Sequence, residues 1–211
     1  MNPYSVSPKK MVINHMASKE LEVEIKVEIK SRDEMVAKLE AAGATFICDL
    51  VHKDHYFDRP VVLGSFAKTD EALRVRISND TTRDIEKIFI TYKGPKRDRT
   101  TKTREEIEVK VEDADKMLAI LKALQFNEVL VVKKYRKLYH HGDISIVVDK
   151  VEHLESNYME VELLATKDAD IDGLKKRLFN FLSTLGIEKS ASETRSYLEL
   201  ILESLGLIPN S

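Results

Sequence analysis

Acidic and basic side chains alternate with aliphatic ones in several short stretches of the sequence. In LEVEIKVEIK, residues 21–30, the odd positions are aliphatic and the even positions are all Glu or Lys. A β-strand points successive side chains to opposite faces, so this segment has one aliphatic face and one fully charged face. Carboxylates hold hard divalent cations, whereas ammonium and guanidinium groups hold phosphoryl oxygens. A face that carries both signs therefore matches a complex of a metal ion with a polyphosphate.

The same alternation recurs along the chain. It is found in ALRVRIS (72–78), REEIEVKV (104–111), DISIVVD (143–149) and YMEVEL (158–163), and less regularly in KIFITYKGP (87–95) and VVKKYRKLY (131–139). Each amphipathic strand must bury its aliphatic face. If helices cover those faces from outside, a closed barrel turns its charged faces into its own lumen. A flat sheet with one solvated face, crossed by salt bridges between strands, fits the alternation equally well.

Other segments supply the helices that such a sheet needs. Helical spacing of apolar residues predicts helices over residues 32–42, 114–124, 171–185 and 191–205. The first follows a capping box, Ser31-x-x-Glu34, and the last follows another, Ser190-x-x-Glu193. Strands are predicted near residues 20–30, 51–58, 72–78, 86–93, 104–111, 129–139, 143–150 and 157–165. Strands and helices that do not strictly alternate predict an α+β fold with a mainly antiparallel sheet.

A short internal repeat suggests how the strands are arranged. The segment EVEIKV (22–27) recurs as EIEVKV (106–111), and a predicted helix follows each copy. Two strand-then-helix halves predict a pseudo-symmetric sheet that closes on itself. The match is short, so a chance similarity is the alternative.

The composition limits the classes of function. The 211 residues are 43% hydrophobic, enough for a sizeable core, and carry a net charge of only −2. Nucleic-acid and membrane-surface binders have a basic excess, so neither partner is expected. Cys48 is the single cysteine, which excludes an intrachain disulfide. No segment approaches the ~20 apolar residues of a membrane span. The cytoplasm is therefore the expected compartment. Residues 1–18 are expected to be a disordered extension, with Met11 or Met16 as other candidate starts, before a single domain over residues 19–206.

Several motifs resemble those of a known family. Glu22-Val23-Glu24-Ile25-Lys26 has the form ExExK and resembles the signature of the CYTH superfamily, the triphosphate tunnel metalloenzymes. That superfamily includes the class IV (CyaB-type) adenylyl cyclases and the thiamine triphosphatases. Further segments resemble the family's motifs in the family's order: HKDHYFD (52–58), LRVR (73–76), TYKGP (91–95), REEIE (104–108), KKYR (133–136), VVDKVEHL (147–154), MEVE (159–162) and RSY (195–197). The resemblance covers about residues 20–203.

The resemblance implies an eight-stranded antiparallel β-barrel, a tunnel with a charged lumen and with helices packed outside. It implies a Mg²⁺ or Mn²⁺ site formed by Glu22, Glu24, Asp149, Glu160 and Glu162. By position, the implied triphosphate ligands are Lys26, Arg74, Arg76, Lys87, Lys93, Arg104, Lys134 and Arg136. Lys26, Lys93 and Arg136 are the expected catalytic residues among them, and Lys53 is a weaker candidate ligand. The family has a glycine in the turn before the last acidic pair, where this chain reads HLESNY (153–158).

The segments HKDHYFD and KGP resemble the cyclase-like branch best, so the expected reaction converts ATP to cyclic AMP and pyrophosphate. An inorganic or thiamine triphosphatase and a non-catalytic nucleotide- or polyphosphate-binding module are the alternatives. Two acidic pairs favour an enzyme, because a pure anion binder gains nothing from carboxylates. The histidines at 52, 55, 140 and 141 are expected to face solvent rather than bind metal. The helical tail after residue 190 is expected to pack on the barrel or on a second subunit, as in a homodimer.

Overall fold

The structure is a computed structural model that describes residues 20–96, 101–166 and 168–209. Its strands are β1 (Glu20–Ile29), β2 (Thr45–Asp58), β3 (Ala72–Asp80), β4 (Ile85–Lys93), β5 (Arg104–Val111), β6 (Asn127–His141), β7 (Ile144–Val151), β8 (Asn157–Ala165) and β9 (Ser192–Glu193). Its α-helices are α1 (Arg32–Ala41), α2 (Phe66–Thr69), α3 (Ala114–Ala123), α4 (Ile171–Thr184) and α5 (Tyr197–Ser204). Single 3₁₀ turns occur at Val61–Leu63 and Lys189–Ala191. The predicted N-terminal extension, residues 1–18, lies outside the described residues.

The eight long strands form a closed antiparallel barrel. Their order is β5-β4-β3-β2-β6-β7-β8-β1, and β1 pairs again with β5. The closing contact is short and runs from Glu20 opposite Glu106 to Glu22 opposite Arg104. The predicted α+β fold with a closed eight-stranded barrel is therefore confirmed, and the flat-sheet alternative is wrong.

The internal repeat corresponds to the two halves of this barrel. The two copies of the repeated segment lie in β1 and β5, which pair with each other where the barrel closes. A helix follows each, α1 in the first half and α3 in the second. The next strands, β2 and β6, pair along almost their whole length. The strand order thus relates β1 to β5 and β2 to β6, the correspondence that the repeat suggests.

The aliphatic side chains of β1 face outwards from the barrel and are covered by helices. Val23, Ile25 and Val27 of β1 are buried with Leu39 of α1 and Leu178 of α4 in the largest hydrophobic cluster. Full burial of one such side chain stabilises the fold by roughly 1.5–3 kcal/mol. This packing fixes which face of β1 is turned outwards, so Glu22 and Glu24 point into the lumen. None of the helices within the described ranges is long and apolar enough to cross a membrane.

The first three predicted helices are found within one residue of their predicted ends, but the start of the fourth was wrong. Instead of helix, residues 191–196 form the end of a 3₁₀ turn, the short strand β9 and a connecting bend. Glu193 pairs with β1 opposite Lys26, and the Lys26 ammonium donates to the carbonyl of Arg195. The capping box that starts α5 is formed by Ser196 and Glu199. Ser190 with Glu193 and Ser196 with Glu199 both fit the capping pattern. Because Glu193 pairs with β1, the helix starts at the second pair.

Strand β2 is longer than predicted. It begins at Thr45 rather than near residue 51, and its pairing with β6 shifts register between Phe46 and Cys48. Such a β-bulge interrupts the alternation of side chains by which a strand is recognised in a sequence. Cys48 is buried in this part of the strand.

Candidate active site

The barrel encloses a cavity of about 960 Å³. Small-molecule pockets have volumes of roughly 300–1,000 Å³, so the lumen is large enough for a substrate. Ten residues that the resemblance singled out line it: Glu22, Glu24, Arg74, Arg76, Lys93, Arg104, Lys134, Arg136, Glu160 and Glu162. They come from six different strands, and closure of the barrel brings them together.

Three of the predicted site residues do not reach the cavity. Lys26 and Asp149 are completely buried in the barrel wall and do not line the open space. Lys87 is exposed and lies opposite Ser78 near the β3–β4 turn, beyond the part of β4 that borders the cavity. The weaker candidate, Lys53, is also exposed and does not line the cavity. The structure thus separates Lys87 and Lys53 from the other basic groups.

Glutamates gather on one side of the cavity. Burial, together with the nearby carboxylates of Glu22 and Glu24, raises the pKa of Glu162 to about 9. Burial also raises the pKa values of Glu22 and Glu24. Lys93 offsets part of this negative charge, with Nζ 2.9 Å from Glu22 Oε2 and 2.6 Å from Glu106 Oε2. This side of the lumen would gain from a further cation, because a bound cation favours the ionised form of each carboxyl group.

Lys102 supplies one cation that sequence reasoning missed. Its Nζ lies 2.7 Å from Glu24 Oε1 and 3.1 Å from Glu160 Oε1. Burial opposes the charged form of Lys102, but these two carboxylates raise its pKa above the usual value. Lys102 precedes β5 and is outside the alternating strands, so the parity that revealed the other charged groups could not reveal it.

The donor set on the acidic side fits a hard divalent cation, which prefers carboxylate oxygens. Within the described ranges, no three Asp, Glu, His or Cys side chains already surround one point. The reason is that cations lie among them: Lys102 bridges two carboxylates, and Arg136 Nη2 is 2.8 Å from Glu160 Oε2. The residues that would hold Mg²⁺ or Mn²⁺ are Glu22, Glu24, Glu160 and Glu162.

Asp54 organises the basic side of the lumen, and sequence reasoning missed it as well. Its carboxylate accepts two hydrogen bonds from Arg76, at 2.7 and 2.9 Å, and lies 3.0 Å from Lys134 Nζ. Arg74 Nη1 is 3.8 Å away. Burial opposes ionisation, yet the three cations hold the pKa of Asp54 well below its usual range. One buried carboxylate therefore keeps three cations side by side.

Tyr197 is buried and lines the lumen. Its hydroxyl donates to Asp149 Oδ2 at 2.7 Å, and Asp149 in turn accepts two hydrogen bonds from Arg136, at 2.6 and 2.9 Å. The Lys26 ammonium lies 4.4 Å from the centre of the Tyr197 ring, and the Lys134 ammonium lies 5.2 Å from it. Asp149 is thus engaged by Arg136 and Tyr197, and Arg136 lies between it and Glu160. Tyr197 also packs in a hydrophobic cluster with Leu200 and Ile201 of its own helix.

The turn before the last acidic pair forms without glycine. His153 adopts a φ of 68°, in the left-handed region that favours glycine. The Lys150 ammonium donates to the carbonyls of Leu154 and Glu155, both at 3.0 Å, and these bonds hold the turn.

Two histidines are not where the sequence predicts. His52 and His55 are buried, whereas solvent exposure was expected. His52 Nε2 lies 3.0 Å from Ser78 Oγ, and burial next to Arg76 lowers the pKa of His52 far below its usual value. His55 Nδ1 contacts Glu128 Oε1 at 2.5 Å. Both lie in the centre of β2, whose two faces carry polar residues. The alternation of polar and apolar residues therefore does not indicate that they are buried.

Lys134 is expected to make triphosphate binding depend on pH. Burial lowers its pKa to about 7, so at pH 8 the amine is mostly neutral in the free protein. A bound polyanion favours the ammonium form, and wild type should take up about one proton more per tripolyphosphate than Lys134→Met does. Calorimetry of metal-free binding at pH 8, in two buffers with different ionisation enthalpies, measures this uptake. Equal uptake by the two proteins would contradict the assignment.

The closed barrel and its mixed-charge lumen define a tunnel fold built around a polar ligand site. This chain belongs to the CYTH domain family, whose family model matches residues 20–197. The resemblance noted from the sequence is therefore confirmed.

Two relatives with adenylate cyclase names cover nearly the same region. The chain is 39% identical over 180 residues to a Methanocaldococcus jannaschii protein provisionally named an adenylate cyclase, a match that covers 85% of this chain and 98% of the relative. It is 27% identical over 187 residues to adenylate cyclase CyaB of Aeromonas hydrophila, covering 88% and 91% of the two chains. A solved structure from Pyrococcus horikoshii has 40% identity and a TM-score of 0.78 over 86% of this chain and 98% of that one.

Proposed function

We propose that this chain is a cytoplasmic, divalent-metal-dependent enzyme that converts ATP to cyclic AMP and pyrophosphate. The observation that carries the proposal is the division of one 960 Å³ cavity into a carboxylate side and a side rich in Lys and Arg. A triphosphate bound to a metal ion needs carboxylates for the metal and basic groups for the phosphate oxygens. The names of the two relatives support the cyclase branch.

The basic side binds the triphosphate in this proposal. Arg74, Arg76 and Lys134 are already held together by Asp54, so little side-chain entropy is lost when a polyanion replaces solvent beside them. Arg136 and Lys93 extend the basic surface towards the glutamates. Charged donors fixed in the lumen stabilise the negative charge that develops on the departing pyrophosphate.

The acidic side supports the metal requirement. The four glutamates that line this side would hold Mg²⁺ or Mn²⁺, which neutralises phosphate charge and lowers the pKa of an attacking oxygen. The chain's own contribution is to keep the acidic and basic sides at fixed positions on rigid strands. The ribose 3′-oxygen and the α-phosphorus must then be held in line for cyclisation.

Apolar residues favour a nucleotide over inorganic triphosphate. Phe66 of α2 and Leu198 and Leu202 of α5 line the same cavity as the charged groups. An organic group attached to the triphosphate would cover this apolar surface, whereas tripolyphosphate would leave it in water. The same argument applies to thiamine triphosphate as well as to ATP. A triphosphatase that releases orthophosphate is therefore the second candidate function.

The products of ATP turnover test the proposal. Incubation with ATP and Mn²⁺ or Mg²⁺ at alkaline pH should yield cyclic AMP and pyrophosphate, because a ribose hydroxyl loses its proton more readily there. Chromatography that finds only ADP and orthophosphate would contradict the cyclase and favour the triphosphatase. Binding of ATP without any metal-dependent turnover would instead indicate a non-catalytic binding module.

A further inference from the structure

Lys102 lines the cavity and is bound between two carboxylates. Its ammonium bridges Glu24 and Glu160, which belong to the two acidic pairs from opposite ends of the chain. The side chain is almost completely buried, and the backbone N–H of Lys102 donates to the carbonyl of Glu24 at 3.0 Å. This hydrogen bond places the backbone of Lys102 beside β1.

This ammonium occupies the space that a metal ion needs. Mg²⁺ binds oxygen at roughly 2.0–2.1 Å and Ca²⁺ at roughly 2.3–2.6 Å, closer than the Lys102 nitrogen approaches either glutamate. Two cations between the same two oxygens would also repel each other strongly in a buried site. Lys102 and a divalent cation thus compete for Glu24 and Glu160.

Arg136 is held differently. It donates two hydrogen bonds to Asp149 and one to Glu160, and Asp149 also accepts a hydrogen bond from Tyr197. Movement of Arg136 would leave the fully buried Asp149 without its cation. Lys102 has no such second carboxylate outside the acidic pairs among its hydrogen bonds and ion pairs in the described ranges.

We propose that Lys102 is an internal cation that holds the metal-site carboxylates together in the metal-free protein and that a divalent cation displaces. The ammonium prevents repulsion between Glu24 and Glu160 while no metal is bound. When the metal binds, the Lys102 side chain turns into the cavity that it already lines. There it faces the phosphate oxygens of the substrate, a step that rests on the proposed function.

Metal binding in the absence of substrate tests the proposal. Mn²⁺ titrations followed by electron paramagnetic resonance should show that Lys102→Met binds Mn²⁺ about 10-fold more tightly than wild type, because no ammonium has to be displaced; that ratio corresponds to about 1.4 kcal/mol. Arg76→Met is the control, since it also removes a positive charge from the lumen but its ion-pair partner is Asp54. An equal gain in the control would show a general charge effect and overturn the proposal.

A measurement on the unaltered chain covers the case in which Lys102→Met does not fold. Amine-reactive reductive methylation with mass spectrometry should modify Lys102 several-fold faster in saturating Mg²⁺ than in EDTA, while the rate at Lys134 stays within twofold. Unchanged labelling of Lys102 in saturating Mg²⁺ would overturn the displacement. If ATP turnover depends on metal but neither test responds at Lys102, the proposed function stands and this inference fails. If both tests respond but ATP is not turned over, the inference stands and the proposed function fails.

Discussion

Glu24→Gln and Glu160→Gln are each expected to abolish most of the metal-dependent turnover while the fold remains intact. Each change replaces a charged ligand of a hard cation by a neutral amide. Changes in residues that merely support metal ligands typically cost roughly 10–100-fold in affinity or activity, so loss of a ligand itself should lower kcat/KM by at least about 100-fold. Steady-state kinetics over a range of Mn²⁺ concentrations, with circular dichroism to verify folding, measures the effect.

The internal repeat provides a matched control for this experiment. Glu108 stands in the second copy of the repeated segment where Glu24 stands in the first. Its side chain is 38% exposed, accepts a hydrogen bond from Thr91 and lies 3.8 Å from Arg74. Glu108→Gln should therefore leave metal dependence unchanged. Wild-type turnover in Glu24→Gln, or an equal loss in Glu108→Gln, would remove the assignment of the acidic pairs as the metal site.

Asp54→Asn should have the largest effect on stability. The change leaves Arg76 and Lys134 without their shared buried carboxylate, and removal of one partner from a buried ion pair costs roughly 3–5 kcal/mol. Urea unfolding of the ligand-free protein measures the loss. Tripolyphosphate should raise the melting temperature of this variant more than that of wild type, because the polyanion replaces the missing negative charge.

The control for Asp54 is Asp49, on the same strand. Its carboxylate lies 3.0 Å from Lys137 Nζ, and its side chain is 45% exposed. Exposed ion pairs contribute at most about 1 kcal/mol, so Asp49→Asn should change the stability little. If Asp54→Asn is as stable as Asp49→Asn, Asp54 does not hold the basic side of the lumen together.

Strict alternation made most of the lumen predictable from the sequence. In β1 and β8 the aliphatic residues at every second position can only be buried on one face, so the inward direction of Glu22, Glu24, Glu160 and Glu162 follows from parity alone. The resemblance then supplied the candidate role of each group. It also carried over Lys87, which parity puts on the inward face of β4 but which lies too near a turn to reach the cavity.

The residues that sequence reasoning missed lie where alternation gives no signal. Lys102 precedes β5, and its place depends on a backbone hydrogen bond to β1, a contact across 78 residues of sequence. Asp54 lies in a segment with polar residues at both odd and even positions. Alternation therefore does not show which of Lys53 and Asp54 points into the barrel. The start of α5 was wrong because two capping patterns compete there, and pairing of β9 with β1 is a tertiary contact that local sequence does not encode.

The pairing of β1 with β8 has a consequence for how the chain folds. Glu24 lies opposite Glu162, so β1 finds this partner only after β8, which follows seven strands and three of the helices in the described ranges, has been synthesised. Contacts of such long sequence separation form slowly, and an incomplete sheet with open edges must persist in the meantime. Open edges invite association with other chains, and charged side chains are one of the means by which proteins prevent it. The Glu and Lys residues of β1 would thus protect the unfinished sheet from aggregation before the barrel closes around them.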